Sequence, residues 1–190
     1  MHAGQIQGFF NIPVDELTAL PLLVKYFRDK SLDNLVVAGV DIGISKRARD
    51  VAERLDVPLA IIEKRRDGNS DMSESLNVIG DVEGATVLAF DDEIDTGGSM
   101  LAAIESLSER GVKEVYSCVT HPVLSGNAPR DLANSSIKEL VVTDTIPLGD
   151  KEIDAKVTTL SIAPLLGEAI HRIHRGLSVG AMFQLSLIHI

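Results

Sequence analysis

The residues best suited to chemistry lie in the run VLAFDDEIDTGGSM, residues 87–100, where four apolar residues lead into Asp91 and Asp92 and then into Asp95, Thr96, Gly97, Gly98 and Ser99. A strand end would fix the loop, and two glycines without side chains let a ligand approach the backbone. The helical pattern MLAAIESLSER that follows would point its first N–H groups and positive dipole end at the same place. A phosphate suits that seat. Asp91 and Asp92 would repel a bare anion, so they fit the hydroxyls of an attached sugar or a bridging Mg²⁺ ion. A sugar phosphate is the ligand these residues imply.

Other groups are candidates for the same chemistry. Asp41 follows the apolar run LVVAGV and precedes Gly43, which suits either a metal contact or a helix cap. Lys46, Arg47 and Arg49 form one basic cluster and Lys64, Arg65 and Arg66 a second, the places where anionic substrates would gather. His171 and His174, one helical turn apart without a third ligand nearby, read as a solvated helix face. Cys118, the only cysteine, sits in the apolar run VYSCVT and reads as a core residue.

The elements needed to position these groups alternate between strand and helix. Residues 14–30 have helical apolar spacing with a break at Pro21, followed by the strand LVVAGV, the helix ISKRARDVAERL and the strand PLAIIE. Residues 63–76 are polar without an apolar period and read as a long exposed loop. Next come the strand TVLAF, a helix from Ser99 to Arg110 and the strand EVYSCVT, a β-α-β unit around the glycine loop. The strands ELVVTD and KVTTLS and the helix APLLGEAIHRIHRG complete the pattern. Parallel sheets of this kind bind ligands at the carboxyl ends of their strands.

Composition narrows the class. A chain of 190 residues with 45% apolar content is large enough for one α/β core. A net charge of −10 with 4% aromatic residues argues against nucleic acid, which calls for a basic face with stacking rings. No run of about 18 apolar residues is present, so no membrane span is expected. No signal peptide is visible either. A cytoplasmic location is expected.

The run 87–100 lacks the spacing and lysine of a Walker A loop and the G-x-G-x-x-G of a dinucleotide fold. It resembles the phosphoribosyl-pyrophosphate loop of type I phosphoribosyltransferases. With the opening HAGQIQGFFNIPVD, the run Val40-Asp41-Ile42-Gly43, Lys64-Arg65-Arg66 and VVTDTIP at 141–147, the chain from residue 2 to about 183 resembles ribose-phosphate diphosphokinase, also called phosphoribosyl pyrophosphate synthetase.

The resemblance implies a three-layer α/β phosphoribosyltransferase-like fold with a mainly parallel central sheet flanked by helices. Residues 1–183 would be the C-terminal domain of such an enzyme, with an N-terminal domain missing and residues 184–190 a tail without assigned role. The implied reaction transfers the diphosphoryl group of ATP to ribose 5-phosphate, giving phosphoribosyl pyrophosphate and AMP with Mg²⁺ as cofactor, in a homo-oligomer. Alternatives are a non-catalytic, ribose-5-phosphate-binding regulatory relative and a phosphoribosyltransferase. Carried over by residue, Asp91 and Asp92 would hold the ribose hydroxyls, and Asp95, Thr96, Gly97, Gly98 and Ser99 would wrap the 5-phosphate. His2 and Asp41 would contact metal, and Lys64 and Arg66 would be the catalytic pair on a flexible loop. His121 would support the site from behind or sit at an interface. Three positions depart from the family pattern: Ile44 replaces a second glycine of the Asp41 turn, where it would crowd a pyrophosphate oxygen, Asn11 replaces an acid, and the acid expected two positions before His2 is absent.

Overall fold

A computed structural model of the chain describes residues 4–66, 74–149 and 156–184. After a short 3₁₀ turn at Gly4–Phe9, helix α1 spans Leu20–Lys30. The expected helix from residue 14 therefore begins later, and Pro21 stands in its first turn instead of breaking it. Proline is tolerated there because its missing N–H has no intrahelical partner in any case.

Strand β1 (Leu35–Gly39) leads to helix α2 (Ser45–Leu55), then β2 (Leu59–Arg66) and β3 (Glu74–Ile79). Strands β4 (Thr86–Phe90) and β5 (Glu93–Ile94) precede helix α3 (Gly98–Glu109). Beyond α3 come β6 (Glu114–Cys118), β7 (His121–Pro122), helix α4 (Ala128–Asn134) and strands β8 (Ile137–Thr143) and β9 (Val157–Leu160). Helices α5 (Ala163–His174) and α6 (Ala181–Gln184) end the described chain.

Seven strands form one sheet in the order β3-β2-β1-β4-β6-β8-β9, all parallel except β3, which pairs antiparallel with β2 at the edge. Alternate residues of the central strands feed two cores. On one face Val36, Ala38, Val87 and Ala89 meet Met100, Ala103, Ile104 and Leu107 of α3. On the other, Val37, Leu88 and Phe90 meet Leu23 and Phe27 of α1 and Ala48, Val51 and Ala52 of α2. This is the three-layer sandwich expected. Cys118 is 1% exposed, a core residue, and its burial drives the thiol pKa above the usual range.

One expectation fails at the second basic cluster. Residues 63–76 are not one exposed loop: β2 continues to Arg66, and β3 returns from Glu74, with Lys64 opposite Leu76 and Arg66 opposite Glu74. An edge pair of this kind has no layer of helix to bury it on both faces, so its sequence stays polar and hides the strand period.

Candidate functional site

The site is built at the carboxyl ends of the parallel strands. Strand β4 ends at Phe90, and the main chain of Asp91 is pinned there by its N–H, which donates to Cys118 O at 3.1 Å. The next residues pair with the segment after β6: Glu93–Ile94 lies parallel to His121–Pro122 in a small second sheet. Asp92 O accepts the N–H groups of both Thr120 (3.1 Å) and His121 (2.9 Å), and Leu124 N–H donates to Ile94 O at 2.9 Å.

Asp91, Asp95, Thr96, Gly97, Gly98 and Ser99 are brought together, with Glu93, Ile94 and Met100, around a cavity of about 210 Å³. Gly97 caps α3 with φ +82°, in the left-handed region where a side chain is strained, and a Cβ there would lie 3.3 Å from Ala128 Cβ. The N-cap residue Gly97 has no side chain to cap α3. The first-turn N–H groups of a helix form an anion seat in principle, and the helix dipole adds to it.

The two adjacent acids part company. Asp91 lines the loop cavity, whereas Asp92 lines a neighbouring pocket of about 350 Å³ together with Arg47, Asp50, Thr120, His121 and Thr145. Arg47 Nη1 lies 2.9 Å from Asp92 Oδ2. Of the first basic cluster, Arg47 is thus engaged with a carboxylate of the loop itself. Burial pushes Asp91 up to about 7; the Asp92 N–H, donating to Asp91 Oδ1 at 2.8 Å, opposes the rise, while the charges of Asp92 and Asp41 add to it. Asp91 is therefore held close to half-protonated near neutrality, and a ligand offering hydroxyl hydrogens or positive charge would draw it to the ionised form.

Asp41 lies just before α2, whose N-cap is Ile44, and its Oδ1 accepts the Ile44 N–H at 2.9 Å, while its charge reaches Asp91. Ile44 does not crowd the turn: its side chain is 5% exposed and packs into the core, with its Cγ2 3.2 Å from where a Gly39 Cβ would stand. His2 lies outside the described residues. Lys64 and Arg66 lie on β2, and their side chains also fall outside what is described. His121 pairs with Glu93 in the small sheet and lines the pocket beside Asp92, its Nδ1 2.9 Å from Thr145 Oγ1, and that hydroxyl donates to Thr120 O at 2.9 Å. His171 and His174 are exposed at the end of α5.

Sequence reasoning missed Ser125. Its N–H donates to Asp95 O at 3.0 Å and its hydroxyl to Asp95 Oδ1 at 2.5 Å. A serine thirty residues away carries no local signal of this contact; only the pairing of β5 with β7 brings it there.

A model of the phosphoribosyl synthetase-associated domain matches residues 67–184. The ribose-phosphate pyrophosphokinase of Oceanobacillus iheyensis is 51% identical over 183 residues, 96% of this chain and 57% of the relative. That of Halalkalibacterium halodurans is 50% identical over 96% of this chain and 58% of the relative. The crystal structure of phosphoribosylpyrophosphate synthetase from Mycobacterium smegmatis superposes with a TM-score of 0.84 at 41% identity, over 92% of this chain and 57% of that one. Orotate phosphoribosyltransferase from Aeropyrum pernix, at TM-score 0.52 and 21% identity over 80% of this chain and 74% of that one, shares the fold. The chain spans 57–58% of the length of the curated relatives it matches.

Proposed function

The chain belongs to the phosphoribosyl synthetase-associated domain family, and on that premise we propose that its loop cavity holds ribose 5-phosphate for diphosphoryl transfer from ATP, giving phosphoribosyl pyrophosphate and AMP. The observation that carries the reading is the joining of Asp91 and residues 95–99 around one cavity, at the N-terminus of α3. The 5-phosphate would sit on the backbone N–H groups and hydroxyls of residues 95–99. Asp91 would accept the ribose hydroxyls. Asp92, turned to Arg47, would hold the loop and not the sugar.

The anomeric hydroxyl would then attack the β-phosphorus of ATP. Positioning and neutralisation of charge are most of what a protein contributes to such a transfer. Lys64 and Arg66 are assigned that neutralisation. The donor fits Mg²⁺: Asp41 is a hard oxygen group whose charge reaches the loop cavity at Asp91, where a cation would offset it. Among the described residues no cluster of three ligating side chains occurs. The ion would therefore be shared with substrate phosphates, with Asp41 and His2 as the protein's contacts, and when bound it would supply neutralisation of the diphosphate.

Among the described residues no helix is long and apolar enough to cross a membrane. A cytoplasmic homo-oligomer is part of the same proposal. Leu166, Ile170, Ile173 and Leu177, 42–67% exposed on and just beyond α5, support association.

Titration calorimetry with ribose 5-phosphate and Mg²⁺ tests the site. Binding is expected, and Thr96→Ala combined with Ser99→Ala should weaken it by about 1.5–3 kcal/mol for each hydroxyl hydrogen bond lost to the charged phosphate. Binding indifferent to that double change would sink the assignment.

A further inference from the structure

We infer that Thr143 and Thr145 are positioning residues for the loop 91–99: their hydroxyls grip the carbonyl of Thr120, and the peptide group so fixed aims the His121 N–H at the main chain of Asp92. The inference deepens the proposed reading and rests on it for the identity of the ligand.

The chain of contacts starts at the end of β8. In extended backbone, residues two apart face the same way, so Thr143 and Thr145 present their hydroxyls together while Asp144 faces away. Thr143, fully buried, donates its hydroxyl to Thr120 O at 2.7 Å, and Thr145 donates to the same oxygen at 2.9 Å. Thr145 N–H donates to Thr143 Oγ1 at 3.2 Å, which keeps the pair together. The segment is held from its other side as well: Asp144 N–H donates to Leu160 O at 3.0 Å, and Asp144 Oδ1 accepts the Ile162 N–H at 2.8 Å.

The gripped oxygen belongs to the same peptide group as the His121 N–H. That group is planar and trans, with its C=O and N–H on opposite sides, so fixing one end directs the other. His121 N–H reaches Asp92 O at 2.9 Å, and Thr120 N–H meets the same oxygen at 3.1 Å. Asp92 stands between Asp91 and residues 95–99, so a shift of its carbonyl would pass in both directions along the loop. The network also sets the ring of His121. A threonine hydroxyl has one hydrogen. Thr145 gives its own to Thr120 O, so the proton between Thr145 Oγ1 and His121 Nδ1, 2.9 Å apart, belongs to the imidazole.

The test uses the whole 190-residue chain and Thr145→Val, which keeps the shape of the side chain and removes the hydroxyl, with Thr145→Ser as the variant that restores it. At about pH 8 the ring nitrogen chemical shifts of wild type should show His121 Nδ1 protonated. Amide hydrogen exchange at His121, measured relative to the sheet amide of Val37, should speed up about fivefold in Thr145→Val and return to the wild-type rate in Thr145→Ser. Ribose 5-phosphate affinity should fall about fivefold in Thr145→Val and recover in Thr145→Ser. Ile137→Val, a core change at the opposite end of β8, should lower the thermal midpoint and leave affinity unchanged. An unprotonated Nδ1, unchanged exchange at His121, or a Thr145→Ser variant that does not recover affinity overturns the inference. So does an affinity loss in Thr145→Val no greater than that in Ile137→Val. Wild type that binds no ribose 5-phosphate would overturn the proposed function, and the exchange and ring-nitrogen arms would still decide whether Thr145 holds Thr120.

Discussion

Asp91 and Asp92 are neighbours of the same type, and the structure gives them different work. Burial raises Asp91 from 3.8 to about 7. Between those values the folded chain keeps a proton that the unfolded chain has released. Stability from this group is therefore unaffected below about pH 4, falls as pH rises, and reaches its full loss above about pH 7. Asp91→Asn should remove that slope. Allowing for the carboxyl's partial exposure, the variant should be more stable than wild type by about 1–2 kcal/mol at pH 8 and equal to it at pH 4. Urea unfolding at the two pH values checks this, and equal slopes in both proteins would refute it. Ribose 5-phosphate binding should be lost in the same variant. Asp92→Ala should instead behave like Arg47→Ala, each costing about 1 kcal/mol because they break one half-exposed ion pair; a double-mutant cycle measures the shared part. The pair Asp91-Asp92 was legible as a ligand feature, but their division was not, because it depends on Arg47, 45 residues away.

At the level of elements, the glycines separate fold from ligand. Gly97 needs its positive φ and its close approach to Ala128, so Gly97→Ala should cost about 1–2 kcal/mol in stability. Gly98 lies inside α3, and the nearest atom to an added Cβ is Thr96 Oγ1 at 4.0 Å. Gly98→Ala should hold or raise stability by about 0.5–1 kcal/mol while lowering ribose 5-phosphate affinity, since the methyl enters the cavity. Chemical denaturation and calorimetry on both variants would separate the two roles; equal effects on affinity with no difference in stability would refute the division. The β4-α3-β6 unit was readable because its strands are almost wholly buried and largely apolar. Strand β3 was not, since an edge strand such as ESLNVI alternates Ser75 and Asn77 with Leu76 and Val78 and merges with the polar run before it. Helix α4 was missed for a related reason: seven residues bury only Ala128 and Leu132, too few to show a period.

For the whole molecule, the sandwich explains where ligands gather, and the relatives explain what else their reaction needs. The parallel strands bring the Asp41 turn, the loop 91–99 and the segment 120–125 to one edge, which supports the proposed ribose 5-phosphate site. The relatives carry a further 42–43% of their length outside the matched region, by subtraction from 57–58%. Diphosphoryl transfer depends on alignment, and an ATP held only through its phosphates loses most of it. These 190 residues, assayed alone with ATP, ribose 5-phosphate and Mg²⁺, should therefore bind the sugar phosphate and release little AMP. Adding the unmatched portion of a relative in trans should raise AMP release. In that mixture Lys64→Ala should abolish the gain and spare ribose 5-phosphate binding, because its charge is needed mainly in the transition state. AMP would be followed by chromatography with and without the added portion. Rapid turnover by the 190 residues alone would show that they carry an ATP site of their own, and the place to look for it would be the pocket between Arg47, Asp92 and His121.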